Sequence, residues 1–501
     1  MATKNPMRAT WGRMTLKIER LTEPDLIFRN DARYVDPKIG LMNYGPCELS
    51  RDLPGEIPVI RAGAIGSAWA LSHLRWFLAR LHTRISAEEG GGPRPWQVDF
   101  PGIGVKSPLR FDVLLDEGMV VPISEDEERE AVSPDTIRER IKRVVALYES
   151  KFLELDATAA SMPRLVFLPI SDRVMGKCKD SHLRQQKIVY HRRSMAEESV
   201  PADFPILDFH NVLKVIGMEH RLPVQVIRPA TLQMEGQSLQ DPATIAWNIS
   251  VAVLYKGTAS PWKLADLNEK TCYVGISFFV EVGETSSMRA AMAQVYLKTG
   301  ESQIIRGKKF LWANAGHRRS PTLTAEQASE ILTDVITLYR SKSGVPERVV
   351  VHKSSGFTDV EKEGFGQASG SVPLDLVYVM AKSSVRLFHL DSDYPPVRGT
   401  FLSSTEKPEG ILYTNGFVPA LGTYAGSTVP WPLRFRCDQL ATDARQVATD
   451  LMSLTRLDWN NANFLSAMPV TLSVTGKVGE ILSETRARKI IAPPQQYRFY
   501  M

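Results

Sequence analysis

"TLTAEQASEILTDVITLYRSKSG" (residues 322–344), followed at once by "ERVVVHKS" (347–354), decides how the second half of this 501-residue chain is read. Thr324 and Gln327 have the spacing of a capping box, which satisfies two orphan N–H groups at a helix start. Ala328, Ile331, Leu332, Val335, Ile336 and Tyr339 then recur on one helical face. Gly344 can close the helix, because glycine adopts the left-handed backbone a helix end favours. The β-branched run that follows predicts a buried strand.

Upstream, "TCYVGISFFVEV" (271–282) predicts a long apolar strand, and "AAMAQVYLKTGE" (290–301) and "SQIIRGKKFLW" (302–312) two more, the latter pair joined through Thr299-Gly300. Three strands, one long helix and a fourth strand is the order of an RNase H-like core, although many α/β domains begin in the same way. The first half alternates differently. "IPVIRAGAIG" leads into a helix over roughly 66–85, a helix near 135–155 leads into "PRLVFLPIS", and "DFHNVLKVIGMEH" leads into "PVQVIRP". Such alternation predicts a parallel sheet covered by helices, a Rossmann-like arrangement. The "GAIG" turn (63–66) lacks the full G-x-G-x-x-G of a dinucleotide site and reads as a tight turn between strand and helix. "SAEEGGGPRPW" (86–96), "SEDEEREAVSPD" (124–135) and "YKGTASPWKLADLNEKT" (255–271) are the soft points, and the last is the best boundary. The expected fold class is therefore α/β, with an N-terminal segment over 1–25, a first domain over 26–260 and a second over 261–501.

Composition narrows the function little. Hydrophobic residues make up 43% and charged residues 23%, and Lys plus Arg outnumber Asp plus Glu by 61 to 56, a mild basic excess compatible with a polyanionic partner. Four scattered cysteines, Cys47, Cys178, Cys272 and Cys437, form no C-x-x-C pair, which suits a reducing compartment. No apolar run of about 18 residues suggests a membrane span, and the expected location is cytoplasmic.

"HNVLKVIGMEHRLPVQ" (210–225) carries the candidate chemistry. The i, i+4 spacing stacks His210 and Lys214 on one face, and Gln225 follows just past Pro223, a cluster of donors with no acid among them.

At this point the chain resembles a short prokaryotic Argonaute, a protein with only MID and PIWI domains, from about residue 25 onward. The likeness is carried by the order and spacing of "DPKIGLMNYGPC" (36–47), "DFHNVLKVIGMEHRLPVQVIRPATL" (208–232), "NISVAVLYKGTASPW" (248–262), "YVGISFF" (273–279), "VVVHKSSGFTDVE" (349–361), "LTRLDWNN" (454–461), "PVTLSVTGKVG" (469–479) and the tail "QYRFYM". It implies a MID pocket holding the 5′-phosphate of a guide strand through His210, Lys214, Gln225 and Lys256, the last on the strand entering the PIWI domain. It also implies a Mg²⁺ ion bridging the phosphate to the carboxylate of the C-terminal Met501. The physics agrees: a terminal phosphate wants charge-assisted donors, which the two lysines supply, while Gln225 offers an amide N–H and His210 can donate or stack on a base.

Slicing relatives hold two Mg²⁺ ions on carboxylates, the first from the middle of the first RNase H strand and the second from the end of the fourth. Ser277 and Ser354 stand at those positions, and neutral hydroxyls do not balance two divalent ions. The resemblance therefore implies no target cleavage, with Glu281, Asp359, Glu361, Glu363, Asp391 and Asp393 nearby acids that could assemble a displaced site. Lys382, Arg386, Arg398, Arg434 and Arg436 are candidate contacts to a nucleic-acid backbone, whereas His352 and Lys353 read as core-edge residues. The implied role is a subunit loaded with guide RNA that recognises single-stranded target DNA in prokaryotic antiviral immunity. It would activate a partner in which an APAZ domain is joined to an NAD-degrading TIR or sirtuin-like module, or to a nuclease. A guided nuclease with a non-standard metal site, and an unguided single-strand binding protein, are the alternatives.

Overall fold

The computed structural model describes residues 16–501 except 48–56, 89–93, 160, 179–208, 236–239, 259, 266, 268–269, 281–287, 298–300, 312–320, 389–391, 425, 427 and 491. The Thr299-Gly300 turn, Glu281 and Asp391 lie outside the described residues.

A four-stranded parallel sheet forms from the first half, in the order Asp112–Ile123, Val59–Ser67, Leu165–Pro169, Val224–Ile227. Helices Ala68–Leu81, Ile137–Thr158 and Phe209–Glu219 connect and cover it. The "GAIG" glycines sit inside the strand rather than in a turn. A Cβ on Gly63 would come within 2.8 Å of the Met119 carbonyl, so they serve close strand packing. The acidic stretch after Ser124 is also ordered more than its composition suggests. Ser124 and Glu127 form a capping box that starts the helix Glu125–Ala131.

The second sheet has nine strands, in the order Leu16–Arg20, Thr400–Ser404, Glu409–Leu412, Leu433–Gln439, Leu374–Met380, Arg348–Lys353, Thr271–Val280, Met288–Tyr296, Ser302–Leu311. Leu374–Met380, Arg348–Lys353 and Thr271–Val280 run parallel at its centre, and the other pairings are antiparallel. The helix Ala325–Ser343 buries Ala328, Ile331, Leu332, Val335, Ile336 and Tyr339 against one face of this sheet. Its capping box is formed, and Gly344 closes it at φ +87°. These are the elements of an RNase H-like core, and with the parallel sheet they give the α/β class expected.

The strand Leu16–Arg20 pairs with Thr400–Ser404 and so extends the large sheet, not the four-stranded one. Leu26–Ile27 joins Arg33–Tyr34 and Lys263–Leu264 in a small third sheet. One hydrophobic cluster runs from Phe77 and Trp247 in the first half to Phe435 and Leu482 in the second. Under the central strands a buried ion triad joins three elements: Arg348 bonds Asp375 at 2.7 Å and Asp450 at 2.8 Å, and Tyr273 Oη donates to Asp450 at 3.0 Å. Every carboxylate and guanidinium there is partnered, which is the condition for burying charge.

Candidate nucleic-acid interface

The helix Phe209–Glu219 is amphipathic but almost wholly buried, because the helix Thr475–Ala487 packs on it and the C-terminal tail crosses it. Lys214 is 8% exposed and donates to the Tyr500 carbonyl at 3.2 Å. Lys256 is 3% exposed and donates to the Val224 carbonyl at 2.9 Å and to Gln225 Oε1 at 2.7 Å. Gln225 in turn donates through Nε2 to the Val226 carbonyl at 3.3 Å. The structure thus brings Lys214, Gln225, Lys256 and the buried tail Tyr500–Met501 into one buried cluster. His210, half-buried, stands one turn before Lys214 on the same helix.

Lys256 lies in the last turn of the helix Pro242–Gly257, not on a strand entering the second domain. The unbroken apolar run "NISVAVLY" suits a buried helix as well as a strand, and Asp241 capping Thr244 N with Pro242 at the first turn settles it as helix. Burial holds the Lys256 ammonium well below its ordinary range, and the nearby charge of Lys214 adds to the effect. Both of its acceptors are neutral. A third N–H on this ammonium has no acceptor among the described residues.

At the sheet centre, Ile276 pairs with Lys353, so Ser277, still on its strand, and Ser354, the first residue past the end of the neighbouring parallel strand, each follow one residue after that pair. Ser277 is half-buried and Ser354 exposed. The acids around them are committed elsewhere or face solvent. Glu361 is fully buried and accepts from Lys353 Nζ at 2.6 Å, Thr358 N at 2.8 Å and Leu323 N at 3.1 Å, which makes it a helix cap. Asp359 pairs with Lys362 at 2.6 Å, while Glu363 and Asp393 are exposed. Among the described residues no group of three or more His, Cys, Asp or Glu could hold a metal ion. Lys353, 1% exposed, is a core ion-pair member, and His352, fully buried, bonds Thr471 Oγ1 through Nδ1 at 2.9 Å.

Of the five backbone-contact candidates, Arg398 must be withdrawn. It is 2% exposed and bonds Glu23 at 2.8 Å, Thr455 Oγ1 at 2.8 Å and the Thr414 carbonyl, so its charge is spent pinning the N-terminal segment to the large sheet. Arg434 and Arg436 share one face of the strand Leu433–Gln439, paired with Glu409 at 2.9 Å and Asp438 at 2.7 Å. Arg436 also reaches the Ser354 loop, since a Cβ on Gly356 would lie 3.0 Å from its guanidinium. Lys382 and Arg386 lie beyond the end of the strand Leu374–Met380, over the Trp431 ring. Trp431 escaped the sequence reading because a lone tryptophan carries no signal until the fold sets two cations on it.

Solved structures similar to this chain include Argonautes and a Piwi protein. The Clostridium butyricum Argonaute bound to a guide DNA (5′ deoxycytidine) and a 19-mer target DNA matches with TM-score 0.63 and 13% identity, over 94% of this chain and 53% of that one. The A. aeolicus Argonaute matches at 0.54 and 14%, over 97% and 55%, and Drosophila Piwi at 0.56 and 12%, over 97% and 56%. The chain has an Argonaute-like fold. It spans about half the length of these Argonaute structures. No protein-family model matches the sequence, and no curated protein matches it. Among the described residues of this Argonaute-like chain, no helix is long and apolar enough to cross a membrane.

Proposed function

We propose that this chain is a guide-binding subunit of the short Argonaute type: it holds the 5′-phosphate of a guide RNA between Lys214, Gln225, Lys256 and the C-terminal tail, and recognises complementary single-stranded DNA. The observation that carries the reading is Lys256. A buried ammonium with only neutral acceptors, beside a second buried lysine, is costly in the resting protein. A phosphate dianion in the pocket would supply the missing countercharge and occupy the third N–H. His210 would donate to the phosphate or stack on the first base. A Mg²⁺ ion at the Met501 carboxylate fits only as part of the guide complex, because the two lysines make the site itself repulsive to a cation and no metal-ligand cluster occurs among the described residues.

Recognition without slicing is supported by serines, Ser277 and Ser354, each one residue past the paired Ile276 and Lys353, and by the engagement of Glu361 as a helix cap. A binding event with no chemistry needs an output, and we place it in a separate APAZ-effector partner in the cytoplasm, with a TIR, sirtuin-like or nuclease module. Target binding would bias that complex through a differential binding free energy between its resting and active arrangements.

The test loads the protein with a 5′-phosphorylated guide and presents labelled complementary or scrambled DNA with Mg²⁺. Retention of the complementary strand alone, uncut, is the expected result, with guide DNA run in parallel to guide RNA. Cleavage would overturn the non-slicing reading, and equal retention of both strands would overturn guided recognition.

A further inference from the structure

Beyond the carboxyl ends of the central parallel strands, where open α/β sheets place their ligands, the segments 382–388 and 431–432 form one surface. Ser383 N donates to the Pro432 carbonyl at 3.0 Å, and Leu387 N donates to Tyr413 Oη at 2.6 Å. Val385 and Leu387 pack on Leu402, Ile411 and Tyr413, so the surface is anchored to the sheet from below. On top, the Arg386 guanidinium lies 4.0 Å from the centre of the Trp431 ring and Lys382 Nζ 5.7 Å from it. Trp431 is 42% exposed and Phe388 70%.

Charge distinguishes this patch from its surroundings. Arg398, Arg434 and Arg436 each pair with a carboxylate, whereas no carboxylate pairs with Lys382 or Arg386 among the described residues. Two cations without a carboxylate partner among the described residues, lying over an exposed indole with exposed Phe388 two residues past Arg386, match a ligand that is anionic and flat-faced at once. Single-stranded nucleic acid has that chemistry: phosphates for the cations, unpaired bases for the rings. An acidic protein would answer the charge and leave the aromatic faces unexplained.

We propose that Trp431, Arg386 and Phe388 form a stacking platform for an unpaired stretch of nucleic acid, with Lys382 on its phosphates. The proposal rests on the reading of the chain as a nucleic-acid-binding protein and adds to it a site for bases that are not paired with a guide.

The test compares a labelled 20-mer of thymidylate with a 20-mer of abasic deoxyribose phosphate, at one fixed salt concentration. The wild type should prefer the oligomer with bases. Trp431→Ala should weaken thymidylate binding about ten-fold and erase the preference, Trp431→Phe should keep most of it, and Arg386→Gln should weaken both oligomers. Equal binding of the two oligomers by the wild type, or an unchanged preference in Trp431→Ala, overturns the platform. Polyglutamate of equal charge competing as well as thymidylate also overturns it and makes the patch a docking face for acidic protein. Discrimination of a guide's 5′-phosphate is measured on the same preparations; its loss with the base preference intact overturns guide binding and leaves the platform standing.

Discussion

Replacing Lys256 with methionine removes one ammonium and keeps nearly the same volume. Two of its three N–H groups are engaged, at 2.9 and 2.7 Å, and the third is the one a phosphate oxygen would take. A hydrogen bond to a charged group is worth about 1.5–3 kcal/mol, so the variant should lose roughly 10- to 150-fold in affinity for a 5′-phosphorylated guide and little for a 5′-hydroxyl guide. Folding should change less than affinity does. Val224 O and Gln225 Oε1 lose a donor, at about 1–3 kcal/mol, but the protein no longer desolvates an ammonium, and the two effects oppose each other. The pH dependence follows from the same group. Its folded pKa lies below the unfolded value of 10.5, so the unfolded chain binds more protons between the two and stability rises with pH there. Phosphate binding favours the ammonium, so in the same window it takes up a proton, and preference for the phosphorylated guide falls as pH rises. Anisotropy titrations of both guides at two alkaline pH values, with the methionine variant alongside, measure all of this. An unchanged ratio of the two affinities in the variant would refute the reasoning, whatever the absolute affinities do.

Three further outcomes are expected. Burial lowers the His352 pKa from 6.5 to about 3, with the Arg348 charge adding to the shift, so stability present above pH 6.5 is lost as pH falls towards 3; this amounts to about 4–5 kcal/mol, and His352→Leu should flatten that limb in denaturant melts taken across the range. Ser277→Asp combined with Ser354→Asp should create a divalent-cation site, seen as a Mn²⁺-dependent rise in melting temperature that the wild type lacks; no rise would mean that the two positions do not converge on one ion. Arg398→Met should cost about 1–3 kcal/mol, because the Thr414 carbonyl and Thr455 hydroxyl lose a buried donor while Glu23 keeps Arg456 at 3.7 Å, and should leave the salt dependence of DNA binding unaltered; a shallower salt slope would restore Arg398 to the interface.

The helix Ala325–Ser343 was legible in full, cap, buried face and closing glycine, because a 3.6-residue period and a capping box are local and do not depend on the rest of the chain. The i, i+4 pair His210 and Lys214 and the strand opening at Val224 were legible for the same reason. Lys256 was found through family resemblance, and its element was misread, because a continuous apolar run has no period to separate helix from buried strand. Arg398 was misread as surface because nothing local says that Glu23, far away in sequence, will meet it. The same distance hid the strand Leu16–Arg20 on the large sheet, the Arg348–Asp375–Asp450 triad and the Trp431 surface. What the sequence determined by itself was therefore the set of periodic elements, their caps and the residue types available for chemistry. Which charges are neutralised, which lysine stays buried beside neutral acceptors and which aromatic lies under uncompensated cations was decided only by tertiary structure, since each depends on a contact between residues far apart in the chain.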